Sequence, residues 1–113
     1  MKGIVGREAE IRELQDLFLN AIDRFHHRYS DVFFYAEQLS VSARYLGQVT
    51  RHIANRSPKA IIDERITEDI TTMLATNKPL KEIALMLGFS SQAHLSRYYR
   101  KQTGKAPSEV RKR

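Results

Sequence analysis

The chain has 113 residues, of which 42% are hydrophobic and none is cysteine. This length suits one compact domain or two very small ones, and the hydrophobic content is too high for a disordered tail. The lack of cysteine excludes disulfides and thiolate metal sites, and no apolar run is long enough to span a bilayer. We therefore expect a soluble, cytoplasmic protein without a membrane partner.

The net charge of +6 is concentrated in the last third of the chain. Residues 1–30 hold five basic and five acidic residues, residues 31–79 hold six of each, and residues 80–113 hold eight basic against two acidic. A localised excess of basic residues of this kind indicates either a surface that binds a polyanion or a tail that keeps the protein in solution. The charge by itself does not separate these two interpretations.

Residues 7–29 predict an amphipathic helix with one broad apolar stripe. Its charges are balanced, which makes it a poor DNA contact. It either packs on the rest of the domain or mediates self-association. The stripe residues proposed for packing or dimerisation are Leu14, Leu17, Phe18 and Ile22.

The middle of the chain predicts three helices, over residues 33–39, 42–54 and 59–74. Ser40 and Val41 form a turn after the first helix, and Ser42 is a suitable N-cap for the second. Asn55 tolerates the left-handed conformation that ends helices, and Pro58 disfavours continuation. The third helix, with apolar residues three and four apart, is expected to lie centrally.

Two further helices are predicted over residues 80–87 and 91–103. Gly88 breaks the first pattern where a tight turn needs a positive φ, and Ser90 and Ser91 are N-cap candidates for the second. Two short helices joined by a sharp turn, with a basic, amide-bearing second helix, are typical of a helix-turn-helix DNA-binding module. After Pro107 the chain ends in a basic helical turn.

The same arrangement occurs upstream. Ala36, Leu39 and Ser40 precede Ala84, Leu87 and Gly88 by 48 residues, and after the turn Leu46, Thr50 and Arg51 precede Leu95, Tyr99 and Arg100 by 49. We therefore predict an all-α fold of two helix-turn-helix subdomains joined by a central helix, with an extra N-terminal helix. The segments are an N-terminal linker or dimerisation helix (1–30), the first helix-turn-helix (31–58), the linking helix (59–76), and the second helix-turn-helix with the basic C-terminus (77–113).

These residues resemble the DNA-binding region of AraC/XylS-type transcription regulators over residues 33–111. The most specific part is EIALMLGF followed by Leu95, Arg97, Tyr99, Arg100 and Lys101, then Gly104 and Pro107. The resemblance implies promoter binding, contact with RNA polymerase and, most often, activation. It also implies a nucleoid-associated location. Many members carry an upstream sensing or dimerisation domain, so residues 1–30 are consistent with the chain being a fragment that dimerises through that helix or through a missing domain.

The sequence departs from the family pattern mainly in the first module. Thr50 replaces a large aromatic residue, Asn55 replaces a glycine, and Asp69 replaces a small residue of the central helix. Gly47 lies inside the first recognition helix, where we expect it to let the backbone approach the groove. These departures put the base contacts of the first module in greater doubt.

Each second helix has a face suited to reading bases. Arginine can grip guanine through two hydrogen bonds, glutamine can do the same for adenine, and alanine can touch a thymine methyl. The face of the first helix is alternatively a set of solvated charges. At the position of Arg97 the family very commonly has arginine, which implies phosphate positioning as an alternative to base reading. The predicted base contacts are Arg44, Gln48 and Arg51 on the first helix and Gln92, Ala93, Ser96 and Arg97 on the second.

Hydroxyl groups and basic side chains around these faces predict phosphate contacts. The terminal Arg111, Lys112 and Arg113 are either further contacts or a disordered basic end. Tyr45 either donates to phosphate or packs, and packing is favoured for Tyr98. The predicted phosphate contacts are Ser42, Tyr45, Ser90, Arg100, Lys101 and Lys105.

No catalytic constellation or metal-ligand spacing is present, so neither an enzyme nor a cofactor is expected. The leading hypothesis is sequence-specific binding of double-stranded DNA, with two recognition helices in successive major-groove segments about 34 Å apart. The alternative is a helical interaction or dimerisation module that binds polyanions without regard to sequence.

Overall fold

The computed structural model describes residues 7–26 and 31–111, and every regular element in those ranges is an α-helix. The seven helices are α1 (Glu8–Phe25), α2 (Val32–Gln38), α3 (Ala43–Ala54), α4 (Pro58–Leu74), α5 (Leu80–Met86), α6 (Gln92–Thr103) and α7 (Pro107–Arg111). The predicted helices all occur, with ends that differ by a residue or two. The last part of the N-terminal prediction, residues 27–29, lies outside the described residues.

The chain forms two compact units, residues 1–62 and 63–113. Helix α4 begins in the first unit and continues in the second, so the boundary falls within the helix that was predicted to link the modules. The first unit contains α1 to α3 with the first turn of α4. The second contains the rest of α4 with α5 to α7.

In the first unit, α1 packs against α2 and α3. Ile11 and Leu14 of α1 join the fully buried Val49 of α3 in one cluster, which Leu39, Val41, Tyr45 and Ile53 border. Phe18 of α1 meets Tyr35 of α2 edge to face, with ring centroids 5.7 Å apart, a favoured aromatic geometry. Helix α1 is therefore part of the core that carries α3.

Only part of the apolar stripe of α1 that was predicted for packing or dimerisation is buried by this packing. Leu14, Phe18 and Ile22 are buried, whereas Leu17 is 47% exposed. An acidic substitution at Leu14 or Phe18 would disrupt the core of the unit, so substitutions at those two positions cannot test dimerisation. Leu17, together with Leu19 at 42% exposure, remains available on the surface.

In the second unit, α5 packs against α6, and the buried apolar side chains come from α4, α5 and α6. Ile70 of α4, Ile83 of α5 and Leu95 of α6 are fully buried. The side chain of Arg111 returns to the C-terminal end of α4, where its Nε donates to the Leu74 carbonyl (3.1 Å) and its Nη2 to the Thr76 carbonyl (3.2 Å). Arg111 therefore satisfies helix-end carbonyls that have no partner within the helix.

Candidate nucleic-acid interface

Both units contain a helix–turn–helix with the same backbone geometry. Ser40 and Gly88 occupy equivalent positions in the two turns, with φ of +59° and +83°. The next residue closes each turn: the Val41 N–H donates to the Ala36 carbonyl (3.0 Å), and the Phe89 N–H donates to the Ala84 carbonyl (2.9 Å). The internal repeat predicted from the sequence is thus confirmed at the level of individual hydrogen bonds.

The second helix of each module also begins and ends in the same way. Ser42 Oγ accepts the Tyr45 N–H, and Ser91 Oγ accepts the His94 N–H, both at 3.0 Å. These are ordinary N-caps, and Ser91 rather than Ser90 provides the second one. At the other ends Asn55 and Gly104 take the left-handed conformation, with φ of +58° and +83°.

Helix α3 has a buried side and a polar side. Leu46, Val49 and Thr50 are fully buried, as their spacing requires. The three predicted readers lie four and then three residues apart on the opposite side, and no acidic residue occurs between Ser42 and Lys59. All three are exposed: Arg44, Gln48 and Arg51.

Gly47 does not face outward, which corrects the expectation that it brings the backbone to the groove. It is buried, and the Arg51 side chain folds over it, so that a Cβ built at Gly47 would lie 2.7 Å from Arg51 Nη1. The next contact would be Pro58 Cδ at 3.9 Å. Gly47 therefore serves the close approach of Arg51 and the start of α4.

Helix α6 has a comparable division. Leu95 and Tyr99, four residues apart, are buried as predicted. No acidic residue lies between Glu82 and Glu109, so the environment along this stretch of chain is basic or neutral. Of the predicted readers, Gln92, Ala93 and Arg97 are exposed and Ser96 is half-buried.

Two consecutive tyrosines attach α6 to α4. The Tyr98 hydroxyl donates to Asp63 Oδ1 at 2.6 Å, and the Tyr99 hydroxyl lies 2.8 Å from the Thr71 hydroxyl. Burial and the Asp63 carboxylate raise the pKa of the Tyr98 phenol well above its usual range. Packing, the role favoured for Tyr98 from the sequence, is what the structure shows. The Asp63 partner was missed because nothing local links residues 35 positions apart.

The predicted phosphate contacts differ in their surroundings. Ser42 and Ser90 are exposed and Tyr45 is half-buried at the edge of the α1–α3 cluster. Ser90 Oγ lies 3.1 Å from His94 Nδ1. The basic residues of this set, Arg100, Lys101 and Lys105, are all exposed.

Arg111 departs from the prediction that it is either a phosphate contact or part of a disordered end. Its guanidinium donates to the Leu74 carbonyl at the end of α4 and to the Thr76 carbonyl just after it, with a third, longer bond to the Met73 carbonyl (3.4 Å). Lys112 and Arg113, with which it was grouped, lie outside the described residues.

A contact between a histidine and a carboxylate next to the polar face of α3 was not predicted from the sequence. His52 Nε2 lies 2.8 Å from Glu8 Oε2, so the first turn of α1 brings a carboxylate beside α3. The two residues are 44 positions apart. The sequence offered no pattern by which to pair them.

Comparison with known proteins decides the family. Residues 35–113, more than two thirds of the chain, match the family described as a helix-turn-helix domain. An ornithine utilization regulator from Pseudomonas aeruginosa is 34% identical over 76 residues, which make up 67% of this chain. The chain belongs to the AraC/XylS-type family of DNA-binding transcription regulators. The aligned part is 22% of that relative, so the chain spans about a fifth of its length.

Solved structures share the fold. The C-terminal domain of the response regulator yesN from Fusobacterium nucleatum superimposes with a TM-score of 0.77 at 20% identity, covering 87% of this chain and 97% of that one. The C-terminal domain of AraT, a response regulator from Geobacillus stearothermophilus, gives 0.74 at 25%, covering 89% and 82%. The DNA-binding domain of AdpA gives 0.72 at 22%, covering 87% and 88%.

This family comprises regulators and not enzymes, as the lack of a catalytic constellation had suggested. Among the described residues, no three histidine, cysteine or acidic side chains are grouped closely enough to hold a metal ion. None of the helices in the described ranges is long and apolar enough to cross a membrane.

Proposed function

We propose that the chain binds double-stranded DNA in a sequence-specific manner, with α3 and α6 as its two recognition helices, and activates transcription at the promoter that it binds. The repeated, capped helix with an exposed face of basic and amide side chains carries this proposal. The AdpA domain, which shares the fold, was solved in complex with a target DNA and lends further support.

The proposed roles follow the chemistry of the exposed groups. Arginine and glutamine side chains on α3 and α6 read base edges, and Ala93 and Ser96 complete the α6 face. Lys101 and its basic neighbours neutralise phosphates and therefore hold the protein on any sequence. Specificity and affinity thus come from different residues of the same helix.

Selection of bound duplexes from a random pool, followed by footprinting, tests the proposal. Two reading helices predict two half-sites centred about one duplex turn, ~34 Å, apart. A single short half-site would leave α3 as a scaffold, and the absence of any consensus would refute specific binding.

Three substitutions separate the roles of individual residues. Arg44→Ala and Gln92→Ala should each cost about 1–3 kcal/mol at one base position, whereas Lys101→Ala should weaken all sequences alike and reduce the salt slope by about one. Gln102→Ala is the matched control, because Gln102 is an exposed glutamine ten residues further along α6. The DNA affinity of Gln102→Ala should match that of the unmodified chain.

Activation implies contact with RNA polymerase bound at the same promoter. Transcription in vitro from a promoter that carries the selected site should rise when the chain is added. A fall in transcription would identify a repressor and would leave specific DNA binding unaffected.

Self-association through α1 is a second function, supported by Leu17, which is 47% exposed on that helix. Sedimentation of the unmodified chain and of Leu17→Glu should then show a dimer and a monomer, respectively. If both variants sediment as monomers, α1 serves packing within its own unit.

A further inference from the structure

His94 and Ser90 form a local arrangement at the start of α6 to which the sequence assigned no function for the histidine. The Ser90 backbone N–H donates to His94 Nδ1 at 3.4 Å, and the Ser90 hydroxyl oxygen lies 3.1 Å from the same nitrogen. The ring is also fixed by Phe89, which it meets edge to face with centroids 5.0 Å apart. The imidazole therefore has a defined position although the residue is exposed.

The donors around Nδ1 determine which ring nitrogen carries the proton. A backbone N–H can only donate, so Nδ1 must offer its lone pair, and the proton of the neutral ring is then on Nε2. The Ser90 hydroxyl oxygen lies 3.1 Å from the same nitrogen, so the hydroxyl can also donate to this lone pair. Nε2–H is left as the donor that the imidazole can offer to a ligand.

The position of His94 on α6 indicates what that ligand is. His94, Arg97 and Lys101 lie at i, i+3 and i+7, which places them along one stripe of the helix, and all three are exposed. Lys101 is the proposed phosphate contact and Arg97 the adjacent DNA contact. His94 extends this row of donors by one turn toward the N-terminal end of α6.

We propose that His94 is a DNA-backbone contact, in which Nε2–H donates to a phosphate oxygen and Ser90 holds the imidazole in the required tautomer. This inference rests on the proposed DNA binding by α6. It also revises the role of Ser90, whose hydroxyl supports the histidine instead of contacting phosphate itself.

Two near-isosteric substitutions separate the two ring nitrogens. In His94→Gln, the amide nitrogen of the introduced glutamine can occupy the place of Nε2 and donate to phosphate, whereas the shorter side chain in His94→Asn reaches only the place of Nδ1. Both substitutions remove the ring contact with Phe89, so their difference reports on the donor at Nε2. Circular dichroism and thermal unfolding should show that both variants fold.

The full chain is titrated with its selected duplex at about pH 8. His94→Asn should lower the affinity about tenfold for all sequences alike, and His94→Gln should stay within about threefold. Because a neutral donor releases no counterion, the salt slope for His94→Asn should be unchanged, whereas Lys101→Ala should reduce it by about one. Equal losses in the two variants, or a loss confined to one base position, would overturn the proposal.

Two more measurements make the result unambiguous. Nitrogen-15 NMR of the unbound chain should show His94 protonated on Nε2, and protonation on Nδ1 would overturn the tautomer assignment. Arg97→Ala and Lys101→Ala serve as references: if they weaken binding and His94→Asn does not, this inference alone fails. If none of the three weakens binding, DNA binding by α6 itself fails.

Discussion

Gly47 and Gly104 are both helix-associated glycines, yet an alanine at each position would meet a different obstacle. Gly47 has ordinary helical backbone and a neighbour, Arg51 Nη1, within 2.7 Å of a Cβ built on it. Gly104 has φ of +83° and nothing within 4 Å of such a Cβ. Space limits the first position, and backbone conformation limits the second.

Replacing each glycine by alanine should therefore change stability in opposite directions. Gly47→Ala should raise the free energy of unfolding by about 0.5–1 kcal/mol, because glycine is a poor helix former and the flexible end of Arg51 can move aside. Gly104→Ala should lower it by about 1–2 kcal/mol, because the left-handed conformation is unfavourable for alanine. Urea unfolding with an unchanged m-value measures both, and a loss of stability in Gly47→Ala would show that Arg51 cannot move.

Because the pKa values of Tyr98 and Tyr35 are raised, we expect the protein to lose stability at high pH. Burial raises the pKa of Tyr35 to about 12 and, with the Asp63 carboxylate, raises that of Tyr98 further. The unfolded chain releases these protons near pH ~10, while the folded chain still holds them. The free energy of unfolding should then fall above pH ~10, by about 1.4 kcal/mol per pH unit for each tyrosine.

Tyr98→Phe should remove one of the two contributions, so that the slope above pH ~10 becomes about half as steep. The same variant should lower stability at neutral pH by about 1–2 kcal/mol, because the buried Asp63 carboxylate loses the hydrogen bond that the Tyr98 hydroxyl donates. Chemical unfolding at a series of pH values gives both quantities. An unchanged slope would mean that Tyr98 titrates normally in the folded chain.

At the scale of elements, the C-terminal end of α4 depends on a residue from α7. Arg111 reaches the carbonyls of Leu74 and Thr76 and thereby joins two helices that are far apart in sequence. A lysine ammonium carries the same charge but cannot present two parallel donors in a fixed plane.

Arg111→Ala should lower the free energy of unfolding by about 1–2 kcal/mol, and Arg111→Lys should recover only part of that loss. Thermal unfolding of the two variants measures the effect, and DNA affinity under conditions where both are folded is the control. Loss of affinity in Arg111→Ala without loss of stability would restore the phosphate contact that the sequence suggested.

Helix α1 packs against α3 and so supports it from outside the first helix-turn-helix. Its apolar stripe covers Val49, and its first turn brings Glu8 to His52. The pair is exposed, so it contributes little to stability. Its carboxylate nevertheless lies on the α3 side that the proposed function directs toward DNA.

At the scale of the whole molecule, two of the proposed base contacts, Arg44 and Gln92, belong to different compact units. Their substitutions to alanine should change the free energy of DNA binding independently, adding within about 0.5 kcal/mol. Gln92→Ala with Arg97→Ala, both on α6, is the contrasting pair and should couple by about 0.5 kcal/mol or more. Strong coupling between Arg44 and Gln92 would show that the modules bind as one cooperative surface.

The local features of this chain could be predicted from its sequence because they depend on neighbouring residues. Ser42 and Ser91 are caps, Gly88 and Gly104 take positive φ, and Leu95 returns to the buried side at helical spacing. Each of these needs only the geometry of a single turn. The helix order, the repeat and the family resemblance all followed from such short-range signals.

The tertiary structure decided what depends on contacts between distant residues. It assigned Phe18 to the core and Leu17 to the surface, turned Gly47 inward, and paired Tyr98 with Asp63 and Arg111 with the end of α4. The composition and spacing of one helix do not say which neighbour covers its apolar side or which distant carboxylate meets a hydroxyl. Those choices are made by side-chain packing and hydrogen bonding between elements, which form only when the chain has folded.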